Sequence, residues 1–436
     1  MPHEVCATQP DQSYALYLPS TYTPARRWPT IYAFDPLARG NVPLEFMKEA
    51  AERYGFILVG SNNSRNGAWK PEFDAAQAMS DDTHIRLSID DRRVYFAGFS
   101  GGARVAARIA KLCKCAAGVM LNGAGFPVGE PPTRDSTFAV FASVGDLDFN
   151  YPEVTHLDQT LDALGFPHVV RYFNGPHRWA PEEVMDEAFA WFRILAMKQG
   201  REQRDPVFIA TQKDLASARA HALEQAGDLY SAMREYQKSA AAFEGIADVA
   251  AFQQAAAALA SQKAVRDAAK RQVKEIDEQG ALVSDISSGL HSVGQAATNT
   301  ADVRSDTNRR IVDLRERAAH EKRPDQARVL QRATADVFAL AIESGIGRME
   351  GEDKDYTIAK DYFQLALAMR PTSAWAFSNL ATACALSGDR KGALDALRRA
   401  KETTPDPEAF ASWLQSEPAF EKLREDQRFR ALLPIP

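Results

Sequence analysis

The chain has 436 residues, 45% hydrophobic and 25% charged, with 52 Lys and Arg against 58 Asp and Glu. At roughly 150 residues per domain this means two or three domains of ordinary globular composition. The net charge of -6 excludes a basic nucleic-acid-binding surface as the default, and no apolar run is long enough to span a bilayer.

Met1 is followed at once by polar residues and Cys6, so no signal peptide is expected in the chain as it stands. A mature chain whose signal had been removed would look the same. The expected location is therefore periplasmic or secreted in that case and cytoplasmic otherwise.

Strands and helices alternate in the first part. Tyr14–Leu18 alternates and stops at Pro19. Thr30–Phe34 is an apolar run closed by Asp35–Pro36, and Pro43–Tyr54 has helical spacing. Phe56–Gly60 is a second apolar run, followed by a polar loop from Ser61 to Trp69 and a helix over Ala75–Leu87. Arg93–Phe99 reads as a strand running into a helix of small residues, Ala103–Ala110. Strands Ala117–Leu121, Thr137–Ala142 and His168–Phe173 follow, with helices over Glu153–Leu164 and Glu182–Met197. Apolar strands alternating with helices of this length predict an α/β domain with a largely parallel sheet.

The composition changes in the polar stretch Lys198–Asp205, after which Ala, Gln, Glu, Lys and Arg dominate with helical spacing. The expected division is 1–200, 201–350 and 351–436. Gly280–Thr300 is rich in Ser and Gly and reads as a loop or frayed helix. Two segments share a local pattern. Gly227–Asp228 precedes Ala232, and Gly388–Asp389 precedes Ala393, at the same offset. Pro371 and Pro405 bracket Trp375, Asn379, Leu380, Gly388, Ala393 and Ala400. Small residues at such positions let two helices touch, and each Pro stops a helix. Residues 373–405, then 355–371, and more weakly 213–243, resemble the tetratricopeptide repeat. That resemblance implies a helical solenoid surface for a protein partner, for self-association, or for packing on neighbouring elements.

Cys6, Cys113, Cys115 and Cys384 are too few for a disulfide framework, and Cys113–Lys114–Cys115 lacks the second pair of a zinc site. Free or half-buried thiols are expected, with a bridge from Cys6 to the 113/115 region as the alternative.

The chemistry is carried by Gly98–Phe99–Ser100–Gly101–Gly102, between a strand and a helix. In that setting a Gly-x-Ser-x-Gly turn exposes the serine hydroxyl on a sharp corner, and Gly101 offers its N–H to a developing oxyanion. The competing reading is Ser100 as a plain helix N-cap with the glycines easing a turn, and the position after a strand of an alternating sheet weighs against it.

A serine nucleophile needs a base and the base needs an acid, in the chain order Ser, acid, His. His177 lies in the loop Asn174–Trp179 just after the last strand, whereas His156 sits within a helix and His168 opens a strand. His177 is the expected base. The loop Gly145–Asp146–Leu147–Asp148 supplies the acid, and the Gly-x-x-Asp arrangement favours Asp148 over Asp146. The second oxyanion donor is expected after Phe34. Pro36 has no N–H, which leaves Asp35 or Leu37. Asn62, Asn63 and Trp69 in one strand-end loop, and Phe126, Phe149 and Trp179 in others, are the candidate substrate contacts.

The first 200 residues resemble α/β-hydrolases of the bacterial esterase kind, similar to polyhydroxybutyrate depolymerase-like, feruloyl-esterase-like and dienelactone-hydrolase-like members. The resemblance rests on Tyr14–Leu18 with Pro19–Ser20, the corner at Ser100, the Gly145–Asp148 loop and Gly175–Pro176–His177. It implies a Ser100–His177–Asp148 triad, a two-step acyl transfer, no metal or organic cofactor, and a small, aromatic or polyester-type ester as substrate. The chain departs from the family at the oxyanion loop, where Phe34–Asp35 stands in place of a His-Gly pair. The span from Met120 to Thr137 leaves no room for a large lid. Two other classes compete: a serine peptidase of the same fold, and a repeat-bearing interaction protein with a relict hydrolase domain.

Overall fold

Eight strands form because the chain carries short apolar runs that end in Gly, Pro, Asp or Asn, and seven of them bury most of their residues. They are β1 (His3–Val5), β2 (Ser13–Tyr17), β3 (Trp28–Phe34), β4 (Ile57–Ser61), β5 (Ile89–Phe99), β6 (Ala116–Asn122), β7 (Ala139–Gly145) and β8 (His168–Phe173). In the computed structural model, which describes residues 1–295 and 300–433, they make one sheet in the order β1-β2-β4-β3-β5-β6-β7-β8. β2 runs antiparallel to β1 and β4, and all other neighbours are parallel. This is the largely parallel α/β sheet that the alternation predicted.

The helices between strands are α1 (Asn41–Tyr54), α2 (Trp69–Arg86), α3 (Gly101–Cys113), α4 (Tyr151–Leu164) and α5 (Glu182–Lys198). β3, β6 and β7 are buried at every residue because helices cover both faces of the sheet. α2 begins at Trp69, six residues before the expected start at Ala75. Pro71 lies in its first turn, where a missing N–H costs nothing. Trp69 is thus a helix residue and not part of the polar loop.

Cys113 and Cys115 are bonded to each other, with Cα atoms 5.1 Å apart, and Cys6 and Cys384 are free and buried. This corrects the expectation of four free thiols and the alternative of a Cys6 bridge. α3 ends at Lys114 in the left-handed conformation (φ +54°), which turns the chain back and faces the two sulfurs.

The chain divides into two compact units, Met1–Val273 and Lys274–Pro436. The first also holds α6 (Pro206–Gln225), α7 (Leu229–Phe243) and α8 (Ala250–Ala260). A charged lattice fastens α6 and α7 to the sheet edge. Arg171 on β8 is bonded to Glu187 of α5 at 2.8 Å and to Glu235 of α7 at 2.7 Å. Arg219 of α6 reaches both carboxylates, at 3.1 and 3.0 Å. Arg234 and Lys238 of α7 hold Asp158 and Asp162 of α4, with Lys238 Nζ also 2.5 Å from His168 Nε2.

Burial by itself would raise the Asp158 and Glu187 carboxyls. The His168 hydrogen bond with the Lys238 and Arg234 charges in one case, and Arg171 with Arg219 in the other, hold both below their ordinary values. Both folded pKa values are depressed, so the stabilisation is present above 3.8 and 4.5, the ordinary values, and is lost as pH falls through the lower folded values. Arg171→Leu takes one of the two arginines from the Glu187 and Glu235 carboxylates and should cost about 3 kcal/mol. Thermal melting at pH 7 reads this as a drop of several degrees, and the variant should lose less on acidification than the parent. A melting point within about one degree of the parent would contradict it.

The second unit is helical among its described residues, from the end of α9 (Lys263–Val293) through α10 (Thr300–His320), α11 (Pro324–Glu350), α12 (Tyr356–Met369), α13 (Ala374–Leu386) and α14 (Arg390–Thr403). The stretch Gly280–Thr300, expected as a loop or frayed helix, is helix as far as Val293, and residues 296–299 lie outside the described residues. The repeated Gly-Asp pattern has a local cause. Gly227 and Gly388 adopt φ of +78° and +80°, and Asp228 and Asp389 then cap the next helix by accepting from Ser231 N and Gly392 N. Ala232, Ala393 and Ala400 are fully buried where helices touch.

Candidate active site

The corner at Ser100 is shaped by its three glycines. A Cβ on Gly98 would overlap the Gly102 carbonyl oxygen, and one on Gly102 would overlap the Phe34 carbonyl oxygen. Strand β5, helix α3 and the end of β3 therefore close to backbone contact only with hydrogen at these positions. Ser100 is left at φ +54° and ψ -121°, outside the regions open to an L-residue at low cost. Its N–H is bonded to Asn122 O at 2.9 Å, and its carbonyl accepts from Ala103 N at 3.0 Å. The backbone on both sides of Ser100 is thus engaged. Its hydroxyl makes no hydrogen bond among the described residues.

Below the corner, a buried polar row joins the strand ends. Ser143 Oγ donates to Asn122 Oδ1 at 2.8 Å, and Asn122 Nδ2 donates to Gly98 O at 3.1 Å.

Asp148 and His177 meet. His177 Nδ1 lies 2.9 Å from both Asp148 carboxylate oxygens, and Asp148 is wholly buried. Asn150 N donates to Asp148 Oδ1 at 2.8 Å, which fixes the carboxylate plane. A buried acceptor on Nδ1 keeps the proton there and leaves Nε2 as the basic nitrogen. The ring is wedged between Phe99 and Phe149, with centroids 4.5 and 4.4 Å away. Phe99 directly precedes Ser100, so the imidazole lies beside the corner. The two side chains do not hydrogen-bond to each other, and such bonds often tighten only with substrate in place.

Asp146 plays a different part. Its Oδ1 accepts from Gly175 N at 2.8 Å, while Asp146 N and Leu147 N donate to Phe173 O and Gly175 O. These bonds lace the acid loop to the loop that carries His177. His156 is exposed on α4, and His168 belongs to the Asp158–Lys238 lattice.

In the loop after β3, Leu37 N already donates to Asp35 Oδ1 at 3.0 Å, and the Leu37 side chain is exposed. The buried Asp35 carboxylate is also held by Arg39 Nε at 2.9 Å and Trp179 Nε1 at 3.3 Å. The Asp35 N atom lies 3.3 Å from where a Gly102 Cβ would stand. Of the two amides, Asp35 N–H is therefore the one beside the corner and Leu37 N–H is the one engaged elsewhere.

The expected substrate contacts divide in the same way. Phe149 is half-buried against His177. Trp179 is almost fully buried, packed on Phe46 and Phe99, and braces Asp35. Asn62 accepts from Gly40 N and donates to Ser13 Oγ, and Asn63 accepts from Ser13 N and donates to Asp11 O. Both carboxamides are committed to holding the β2 entry and the start of α1. Trp69 packs under the Arg108 guanidinium, 4.3 Å from its ring, and Phe126 packs on Phe138 in the core. Sequence reasoning passed over Asn66, whose carboxamide lies against Gly101, with Cγ 2.7 Å from where a Cβ would stand.

Among the described residues, Asp158, Asp162 and His168 have ligand atoms close enough to hold a metal ion. Lys238 and Arg234 already occupy those oxygens.

No protein-family model and no curated protein matches the chain. Among solved structures it is similar to the S-formylglutathione hydrolase of Staphylococcus aureus, at 14% identity and TM-score 0.35, over 42% of this chain and 90% of that one. It is also similar to a Bacillus cereus carboxylesterase, at 15% identity and TM-score 0.33, over 42% and 93% of the two chains. A third is Thermogutta terrifontis esterase 2 phosphorylated by paraoxon, at 13% identity and TM-score 0.36, over 47% and 96%.

Proposed function

We propose that residues 1–200 form a serine hydrolase that cleaves carboxylic esters, with Ser100 as nucleophile, His177 as base and Asp148 as the acid that orients it. The observation that supports this most is the imidazole of His177. Its Nδ1 is bonded to both oxygens of a fully buried carboxylate, and its ring packs tilted against the residue before a serine held at φ +54°.

The chemistry follows from those positions. His177 Nε2 takes the Ser100 hydroxyl proton as Oγ attacks the ester carbonyl carbon. The charge that forms on the carbonyl oxygen faces the N–H groups of Gly101 and Asp35, close to the positive end of α3. His177 returns the proton to the departing alcohol oxygen, which leaves an acyl-enzyme on Ser100. Water then gives a proton to Nε2 as it attacks the acyl carbon, and Ser100 recovers that proton as the acid leaves. Asp148 stays ionised and stabilises the imidazolium. The half-buried face of Phe149 beside His177 supports a small, aromatic or polyester-type acyl group.

Short p-nitrophenyl esters should be turned over with a burst of nitrophenol equal to the enzyme concentration, and peptide p-nitroanilides should not. Turnover of anilides without esters would shift the assignment to a peptidase. No turnover of either would leave the relict hydrolase.

We also infer that α13 and α14 form a tetratricopeptide-like pair. The shared Gly-Asp junction and the buried alanines support this, and a surface of that kind suits a protein partner or self-association.

A further inference from the structure

We infer that Asn66 is a third oxyanion donor, supplied by a side chain from the loop after β4. The inference rests on the serine-hydrolase reading above and adds a residue to the same site.

Three observations carry it. First, Asn66 is tied by its backbone to one half of the oxyanion hole: its N–H donates to Pro36 O at 2.9 Å, and its neighbour Arg65 bridges Leu37. Second, its side chain touches the other half. A Cβ on Gly101 would overlap the Asn66 carboxamide oxygen, with Nδ2 3.1 Å away. Third, among the described residues the carboxamide has no hydrogen-bond partner, and the residue is exposed. Asn62 and Asn63, in the same loop, have both ends of their amides satisfied. An amide oxygen and nitrogen exchange places by a half-turn at no cost to packing, and a substrate oxyanion selects the donor end.

The tandem glycines then have separate tasks. Gly102 lets the end of β3 approach the helix, and Gly101 lets Asn66 approach the corner. The side-chain donor also fits the departure at Phe34–Asp35. Leu37 N–H is occupied by Asp35, which leaves this loop one backbone donor beside the corner.

The test compares Asn66→Ala and Asn66→Asp with the parent on a short p-nitrophenyl ester. Removing a donor that acts on the transition state lowers kcat by about 10²-fold and leaves KM within roughly three-fold. Asp keeps the volume and removes the N–H, so it should fall as far as Ala. Both variants should melt with the parent and still be phosphonylated fully at Ser100 on long exposure to a fluorophosphonate. A kcat within two-fold of the parent in Asn66→Ala, recovery in Asn66→Asp, or a rise in KM at constant kcat would each overturn the inference. Those results leave the nucleophile assignment standing if Ser100→Ala is inactive in the same assay. Activity in Ser100→Ala would instead remove the reading on which the inference rests.

Discussion

Ser100→Ala should lose on the order of 10⁴- to 10⁶-fold in kcat on a p-nitrophenyl ester, with no change in melting temperature. The size follows from the proposed role: if Oγ is the nucleophile, its loss prevents an acyl-enzyme and leaves binding and oxyanion contacts to speed direct attack by water. The unchanged melting point follows from the structure. The Ser100 hydroxyl makes no hydrogen bond among the described residues, so nothing buried is left unpaired when it goes. Alanine has the same steric objection to φ +54° as serine, so the corner is neither relieved nor further strained. Steady-state kinetics and a melting curve on the purified variant check both halves. A variant that keeps more than a few per cent of parental kcat would show that the hydroxyl is not the nucleophile.

Asp148→Asn should lose about 10⁴-fold in kcat, while Asp146→Asn should lose about ten-fold or less. Asn at 148 fills the same buried space but can set an NH₂ against Nδ1–H. The ring must then turn or change tautomer, which puts the proton on the nitrogen that should accept it. Its carbonyl oxygen also cannot balance the imidazolium charge. At 146 the carboxylate accepts from Gly175 N, a task that an amide oxygen performs nearly as well. The loop carrying His177 then stays laced through Asp146 N and Leu147 N. Measuring kcat and KM for the pair of variants separates the two roles. The reverse order of losses would make Asp146 the orienting acid.

The parts of this site that could be read from sequence are those where chemistry demands particular residues at particular distances. Gly98, Ser100 and Gly102 were legible because backbone-to-backbone contact on both sides of the corner admits no Cβ. The meeting of His177 with Asp148 was legible because the chain order and the strand ends leave few residues that could come together there. The alternation of strands and helices was equally plain, since buried parallel strands must be apolar at every position.

Other features depended on contacts that a sequence does not display. Asn62, Asn63 and Asn66 look alike in one polar loop. Which of them spends its amide on Ser13 and which reaches Gly101 depends on where β1 and β2 pass. The three-residue strand β1 has a partly polar, mostly exposed surface and gives no alternation to detect. The start of α2 was hidden because Pro71 usually marks a break and is here in the first turn. The sulfurs of Cys113 and Cys115 meet because Lys114 takes a left-handed turn that nothing in its side chain announces. The role of α6 and α7 at the sheet edge was also invisible. Arg171, Glu187, Arg219 and Glu235 are ordinary charged residues until β8, α5, α6 and α7 place them together.

The proposed function requires the Ser100 hydroxyl to act as a nucleophile. Treating the full-length protein with an alkyl fluorophosphonate, then digesting it with trypsin and weighing the fragments, tests this without any knowledge of the natural ester. One phosphonyl group should appear on the fragment Val94–Arg104, at Ser100, with labelling slowed by orders of magnitude in His177→Ala. An unmodified Val94–Arg104 fragment from protein that hydrolyses esters, or a label placed on another serine, would contradict it.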